Sequence, residues 1–139
     1  KVDYKHVPWV TYTDPELAHV GLTEFDAKEK KVLEKSIFVP FSKNDRAVCE
    51  HGTSGGIKLI LGKKGKVLGV SILGQNAGDL LTPWVMAMNN NMKLSNIIDN
   101  IIPYPTRSEI HKTVIGEYYK PIIFSEKVKS IVGLLKKIW

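Results

Sequence analysis

The sequence predicts an α+β fold, an antiparallel sheet with helices packed on one face, and three observations predict it. Two apolar runs, 57–61 and 67–73, flank Gly62-Lys63-Lys64-Gly65-Lys66, which is the pattern of a β-hairpin. Short β-branched and aromatic runs lie before that hairpin and helical periodicities after it. Strands and helices are therefore partly segregated along the chain. No Gly-x-Gly-x-x-Gly opens a strand–helix unit, and neither a Walker-type loop nor a nucleophile elbow is present.

In chain order, Val7-Pro8-Trp9-Val10-Thr11-Tyr12-Thr13 reads as a strand, because β-branched and aromatic side chains suit a pleated, half-buried surface. Asp14-Pro15-Glu16 is a turn with proline setting φ at its corner, and residues 17–21 continue extended. Thr23 is placed to cap a helix through about Glu34 with a thin apolar stripe. Residues 36–41 form another strand, with Pro40 marking an edge or an end. The stretch 44–54 is polar and reads as irregular. Its Gly52-Thr53-Ser54-Gly55-Gly56 segment lacks the following helix that a phosphate cradle requires.

After the hairpin, Gly74 to Gly78 breaks the strand and Asp79 opens an apolar helix. Leu80, Leu81, Trp84, Val85, Met88 and Met92 fall on one broad face, and Pro83 is tolerable in a first turn. Residues 95–100 form a short helix, and 110–119 a longer one stopped by Pro121. Ser125 caps a terminal helix in which Val128, Ile131, Val132, Leu135, Ile138 and Trp139 share a face. A basic amphipathic helix of this kind can lie on a membrane surface, although such helices more commonly pack on their own domain or a partner.

Composition narrows the function. The chain has 139 residues, enough for one domain with a proper core, and 43% hydrophobic with 24% charged residues is ordinary for a globular protein. No apolar run approaches the ~20 residues of a membrane span, and the polar opening is not a secretory signal. The net charge of +6 is spread over lysine pairs without a basic stripe interleaved with aromatics, so nucleic acid is not the expected partner. The single cysteine, Cys49, excludes an internal disulfide, a redox dithiol and a multi-cysteine metal site, and suits a cytoplasmic setting. No metal site is expected. His6, His19 and His111 are scattered and read as structural or solvated.

The stretch around which the chain is organised is Ile101-Ile102-Pro103-Tyr104-Pro105-Thr106-Arg107-Ser108-Glu109. Two prolines fix the backbone on either side of Tyr104 and push the residues before them toward extended conformations. Thr106 or Ser108 can cap the next helix, with Glu109 near its positive end. The arrangement suits presentation of one hydroxyl and one carboxylate at fixed positions; local physics alone favours the plainer reading, a Pro-rich turn between two helices. The Tyr104–Pro105 bond is expected to be cis, since X–Pro bonds alone adopt cis at low cost.

Three segments in order resemble one family. Thr13-Asp14-Pro15-Glu16-Leu17-Ala18-His19-Val20-Gly21-Leu22-Thr23-Glu24 is similar to the opening of the C-terminal dimerisation domain of the flavin-dependent pyridine nucleotide–disulfide oxidoreductases. Residues 58–60, 68–74 and 77–81 resemble the hairpin and helix of the same domain. Tyr104-Pro105-Thr106-Arg107-Ser108-Glu109 stands where that family has His-Pro-Thr-x-x-Glu, a motif whose His–Pro bond is typically cis.

The resemblance implies a dimerisation domain over residues 1–120, followed by a helical extension over 121–139. It implies a homodimer in which Tyr104 and Glu109 enter the partner subunit's active site, the glutamate orienting the motif's first residue. The backbone at Tyr104 and Pro105 would approach the flavin. FAD and NAD(P)H would be held mainly by other domains, so this chain alone is expected to bind no cofactor and to be inactive.

Tyr104 departs from the family's histidine. A phenol with a reference pKa of about 10 is mainly a donor near neutrality, where an imidazole accepts. A tyrosine here is similar to what mercuric-reductase-like proteins present. The paired C-terminal cysteines of mercuric reductase are absent from these 139 residues, which weakens the expectation of mercury as substrate. Two other readings stand beside it: a free-standing dimerising module without catalysis, and a membrane-surface protein using the basic terminal helix.

Overall fold

A computed structural model describes residues 4–136. Five strands form one antiparallel sheet: β1 (Trp9–Thr11), β2 (Glu16–Gly21), β3 (Lys35–Pro40), β4 (Gly56–Gly62) and β5 (Lys66–Gly74), in spatial order β1-β2-β5-β4-β3. The expected hairpin is the centre of this sheet, with β4 and β5 paired from Gly56↔Leu73 to Gly62↔Lys66 around an irregularity at Ile60/Leu61. Register puts one row of apolar residues on one face: Ile37↔Leu59↔Val70↔Val20 and Val39↔Ile57↔Ile72↔Ala18. Seven of these eight side chains are wholly enclosed at 0% exposure, and Ile37 is nearly so at 8%.

Helices α3 (Ala77–Asn89) and α5 (Glu109–Ile123) cover that face, α3 over β2 and β5 and α5 over β3 and β4. Trp84, Leu81, Ile110, Val114 and Ile115 interdigitate with the sheet's apolar rows. Helix α4 (Leu94–Ile98) packs on α5. The short helix α1 (Glu24–Glu29) reaches the other phase of the sheet, where the Glu24 carboxylate accepts from Ser36 and Lys58 at 3.1 and 2.9 Å. The Lys28 ammonium at 2.7 Å, and then these two contacts, hold the Glu24 carboxyl down at about 2. Leu22 crosses directly over Gly69, where any Cβ would collide with the Leu22 carbonyl oxygen. That close approach is the reason glycine stands there.

Several boundaries differ from the sequence reading. Thr23 does cap α1 through a reciprocal box with Asp26, but the helix ends at Glu29 rather than Glu34, and Lys31 turns through a left-handed φ of 54°. The stretch expected to be irregular contains α2 (Asp45–Cys49), capped by the Asn44 side chain. Pro83 lies inside α3 rather than in its first turn, which leaves the Asp79 carbonyl without its usual helical donor. Pro121 likewise lies within α5 and does not stop it. Met92 lies beyond α3 and stays partly exposed.

Ser125 caps α6 (Glu126–Leu135) as expected, accepting from the Val128 N–H. No residue of α6 is buried, and Ile138 and Trp139 lie outside the described residues. Among the described residues no helix is long and apolar enough to cross a membrane.

Candidate functional site

The Pro103–Glu109 stretch joins α4 to α5 and is held from behind by α2 and the β5–α3 connection. Tyr104–Pro105 is cis, as expected, and Asp14–Pro15 is cis as well. Arg107 supplies the main brace. Its side chain is 7% exposed and donates to Glu50 at 2.8 Å, to the Gly52 carbonyl at 3.2 Å and to the Gln75 side-chain oxygen at 2.6 Å. The guanidinium also lies over the Phe41 ring, 5.7 Å from its centroid. A planar guanidinium with several donors suits such a multidirectional anchor better than a lysine ammonium could.

Asn44 is the second brace. Its amide nitrogen donates to the carbonyls of Thr106 and Arg107 at 3.1 and 3.4 Å, while its oxygen caps α2 by accepting from the Ala47 N–H at 2.9 Å. One buried side chain therefore fixes both the motif and the start of α2. Thr106 donates its hydroxyl to the Pro103 carbonyl at 2.8 Å. The N-cap of α5 is Ser108, but its hydroxyl makes no capping bond; the Glu109 carboxylate instead accepts from the Thr106 N–H at 3.4 Å.

With the backbone so held, Tyr104 projects outward, 70% exposed, and its hydroxyl donates to Asp45 Oδ2 at 3.0 Å. That hydrogen bond, then the charge of Asp45, raises the phenol above its usual value, with Glu109 adding to the effect. Tyr104 therefore remains a protonated phenol at neutral pH. Its partner is Asp45 of α2, which the sequence reading did not single out; Glu109 acts on the phenol through its charge while bonding to Thr106. Pro105 is exposed beside it, on the same outward surface. Cys49, one turn of α2 beyond Asp45, is exposed with a free thiol.

The histidines take structural roles. His19 bonds Ser71 at 2.9 Å and the Gly21 carbonyl at 3.0 Å. His111 accepts from the Trp84 indole N–H at Nδ1, 3.0 Å away, so its proton sits on Nε2, a buried atom with no partner in the structure. Burial pushes its pKa down to about 4, and it is neutral at physiological pH. Among the described residues no three His, Cys, Asp or Glu side chains are grouped to hold a metal ion.

Known proteins are similar to this chain in sequence and in fold. Mercuric reductase of Staphylococcus aureus is 36% identical over 110 residues, covering 78% of this chain and 20% of that enzyme. Mitochondrial dihydrolipoyl dehydrogenase 1 of Arabidopsis thaliana is 37% identical over 123 residues, 87% of this chain and 24% of that enzyme. Among solved structures, the HOCl-induced flavoprotein disulfide reductase RclA from Escherichia coli superposes with a TM-score of 0.76 at 27% identity, covering 81% of this chain and 26% of that one. The chain thus spans about a fifth to a quarter of the length of these relatives. Residues 7–115 match the family described as pyridine nucleotide-disulphide oxidoreductase, dimerisation domain, and the chain belongs to that family.

Proposed function

We propose that this chain is the dimerisation domain of an FAD-dependent NAD(P)H:disulfide or mercuric-reductase-like oxidoreductase, and that it presents Tyr104 and Glu109 to the partner subunit's active site. The observation that carries the reading is the contrast within one short stretch: Arg107 is buried with each guanidinium nitrogen hydrogen-bonded, while Tyr104 beside it is 70% exposed. A rigid base under an outward hydroxyl is what a group acting on another subunit requires. Family membership favours this over a free-standing module.

The residues at the motif fit an edge contact with a flavin, not its enclosure. The adjoining hollow, about 420 Å³, is lined by Arg46, Glu50, Asp79 and Arg107 among others, charged side chains of both signs. Tyr104 and Pro105 are exposed, which leaves room for a ring held by other domains. FAD, when bound there, supplies the transfer of electrons between the nicotinamide and a disulfide or metal substrate.

The chain's own residues handle a proton. With its hydrogen directed at Asp45, the phenol oxygen of Tyr104 faces outward as an acceptor, able to receive a thiol S–H. To donate to a thiolate the hydroxyl must rotate off Asp45. It cannot serve as a resting base, because the two carboxylates hold it protonated. The expected role is therefore positioning and stabilising a thiol or thiolate, unlike an imidazole that takes its proton away.

Hybrid dimers test the reading. In the full-length protein, one subunit would carry Tyr104→Phe with Asp45→Asn and the other a serine in place of a redox cysteine. Action across the interface leaves one intact site per hybrid dimer and restores activity that neither parent has. Hybrids as inactive as both parents would overturn it.

A further inference from the structure

The end of the domain away from Tyr104 carries a second feature that the dimerisation role does not use. Helix α5 starts at the motif, and about 14 to 20 Å along it, at 1.5 Å per residue, Tyr118, Tyr119 and Ile122 reach a hollow of about 880 Å³. That volume lies in the range of small-molecule sites. Its floor is largely aliphatic, with Leu22, Leu68, Met88 and Leu94, beside the Tyr118 and Tyr119 rings and the polar His6, Asn91 and Ser95. Its rim is cationic, with Lys63, Lys64 and Lys66 on the β4–β5 turn, Lys30 after α1 and Lys93 before α4.

We propose that this hollow binds an amphipathic anion with an aliphatic body, of the class of a fatty carboxylate. The chain lies along the aliphatic floor and the carboxylate meets the lysine rim. Three features support this occupant. No Asp or Glu is among the described residues lining the hollow. None of Lys63, Lys64, Lys66 and Lys93 takes part in an ion pair among the described residues, although three of them crowd one tight turn. An anion would relieve that like-charge repulsion, whereas a neutral or cationic guest would not.

The turn is also built to stay in place. Gly65 turns at φ 73°, and the Tyr118 hydroxyl lies so close that a Cβ on Gly65 would be 2.8 Å from it. Tyr118 thereby packs the lysine turn against α5, and Lys35 lies over the same ring at 5.8 Å from its centroid. Leucine and methionine side chains adapt to a flexible alkyl chain.

The three methionines provide the test. Met88 and Met92 line the hollow, while Met86 lies outside its lining and is 60% exposed. The 139-residue chain, labelled at its methionine methyl groups, is titrated with laurate kept below its micelle-forming concentration. Saturable shifts of the Met88 and Met92 methyls, with Met86 unmoved, are expected. Dodecyltrimethylammonium and inorganic phosphate serve as comparators, the first sharing the chain and the second the charge.

The triple variant Lys63→Glu, Lys64→Glu, Lys93→Glu should weaken laurate at least tenfold, and Met92→Trp, which narrows the mouth, should weaken it without changing charge. Equal binding of the cationic amphiphile, binding of phosphate as tight as laurate, or shifts spread equally over all three methionines would each overturn the proposal. So would unchanged affinity in both variants. Shifts of Met88 and Met92 with protein concentration alone would show a second copy covering the hollow, and would overturn it too.

Discussion

At the scale of single residues, the Tyr104–Asp45 pair and His111 show how environment selects a protonation state. Asp45 raises the Tyr104 phenol through a hydrogen bond and through charge. Asp45→Asn removes the charge, and Tyr104 should then titrate lower, closer to an ordinary tyrosine. An ultraviolet difference titration against Tyr104→Phe isolates this one phenol from the other four tyrosines; an unmoved midpoint would show that Asp45 does not act on it.

His111 works in the opposite direction. Burial lowers its folded-state pKa from 6.5 to about 4, so the unfolded chain takes up a proton first as pH falls. The unfolded state binds more protons between those values, and stability therefore rises with pH there and is lost on acidification from about 6.5 to 4. At about 1.4 kcal/mol per pH unit the loss is about 3 kcal/mol. His111→Gln should flatten this part of the profile in chemical denaturation measured across that range. A slope equal to the parent's would assign it to other groups.

At the scale of elements, α2 governs how firmly the motif is held. Asn44 both caps α2 and bonds the carbonyls of Thr106 and Arg107. Asn44→Ala should cost about 2 kcal/mol, combining a lost cap with unpaired carbonyls. Denaturant midpoints measure the cost, and amide hydrogen exchange should rise in α2 and at residues 103–109 together. Faster exchange in α2 alone would separate the two elements.

The same region shows where sequence reading stops. The β4–β5 hairpin, α3 and the Ser125 cap were legible because alternation, helical period and a capping hydroxyl are local signals. Helix α2 spans five residues, too few for a period to emerge. Tyr104 was legible through its two flanking prolines, but its partner Asp45 lies 59 residues away in sequence. Arg107 stood in a variable position of the motif, and only the fold reveals that it ties the motif to Glu50, Gly52 and Gln75. Pro83 and Pro121 misled because a proline costs a helix one hydrogen bond, which packing over a buried face can outweigh.

At the scale of the whole molecule, the question is which apolar surface the fold leaves over. The sequence is apolar enough over residues 80–92 and 97–102 to suggest a surplus beyond one core. In the first stretch Leu80, Leu81, Trp84, Ala87 and Met88 are all buried in the domain's own core, so the surplus lies in the second stretch and on the sheet. Ile101 is 96% exposed three residues before Tyr104, and Trp9, Phe38 and Leu73 are exposed on the sheet phase opposite the helices. An isologous interface is the common way to cover such surface, and the family implies a homodimer. If Tyr104 reaches a partner subunit, Ile101 lies at that same boundary. The chain should therefore self-associate as a two-fold dimer, and Ile101→Glu should weaken it at least tenfold while leaving the monomer's thermal stability unchanged, because a side chain this exposed contributes little to the core. Sedimentation equilibrium measures the association, and thermal melting of the variant its stability. A parent chain that stays monomeric at high micromolar concentration would place the interface in the rest of the protein, and an unchanged dimer in the variant would move it off the Tyr104 edge, to the open face of the sheet.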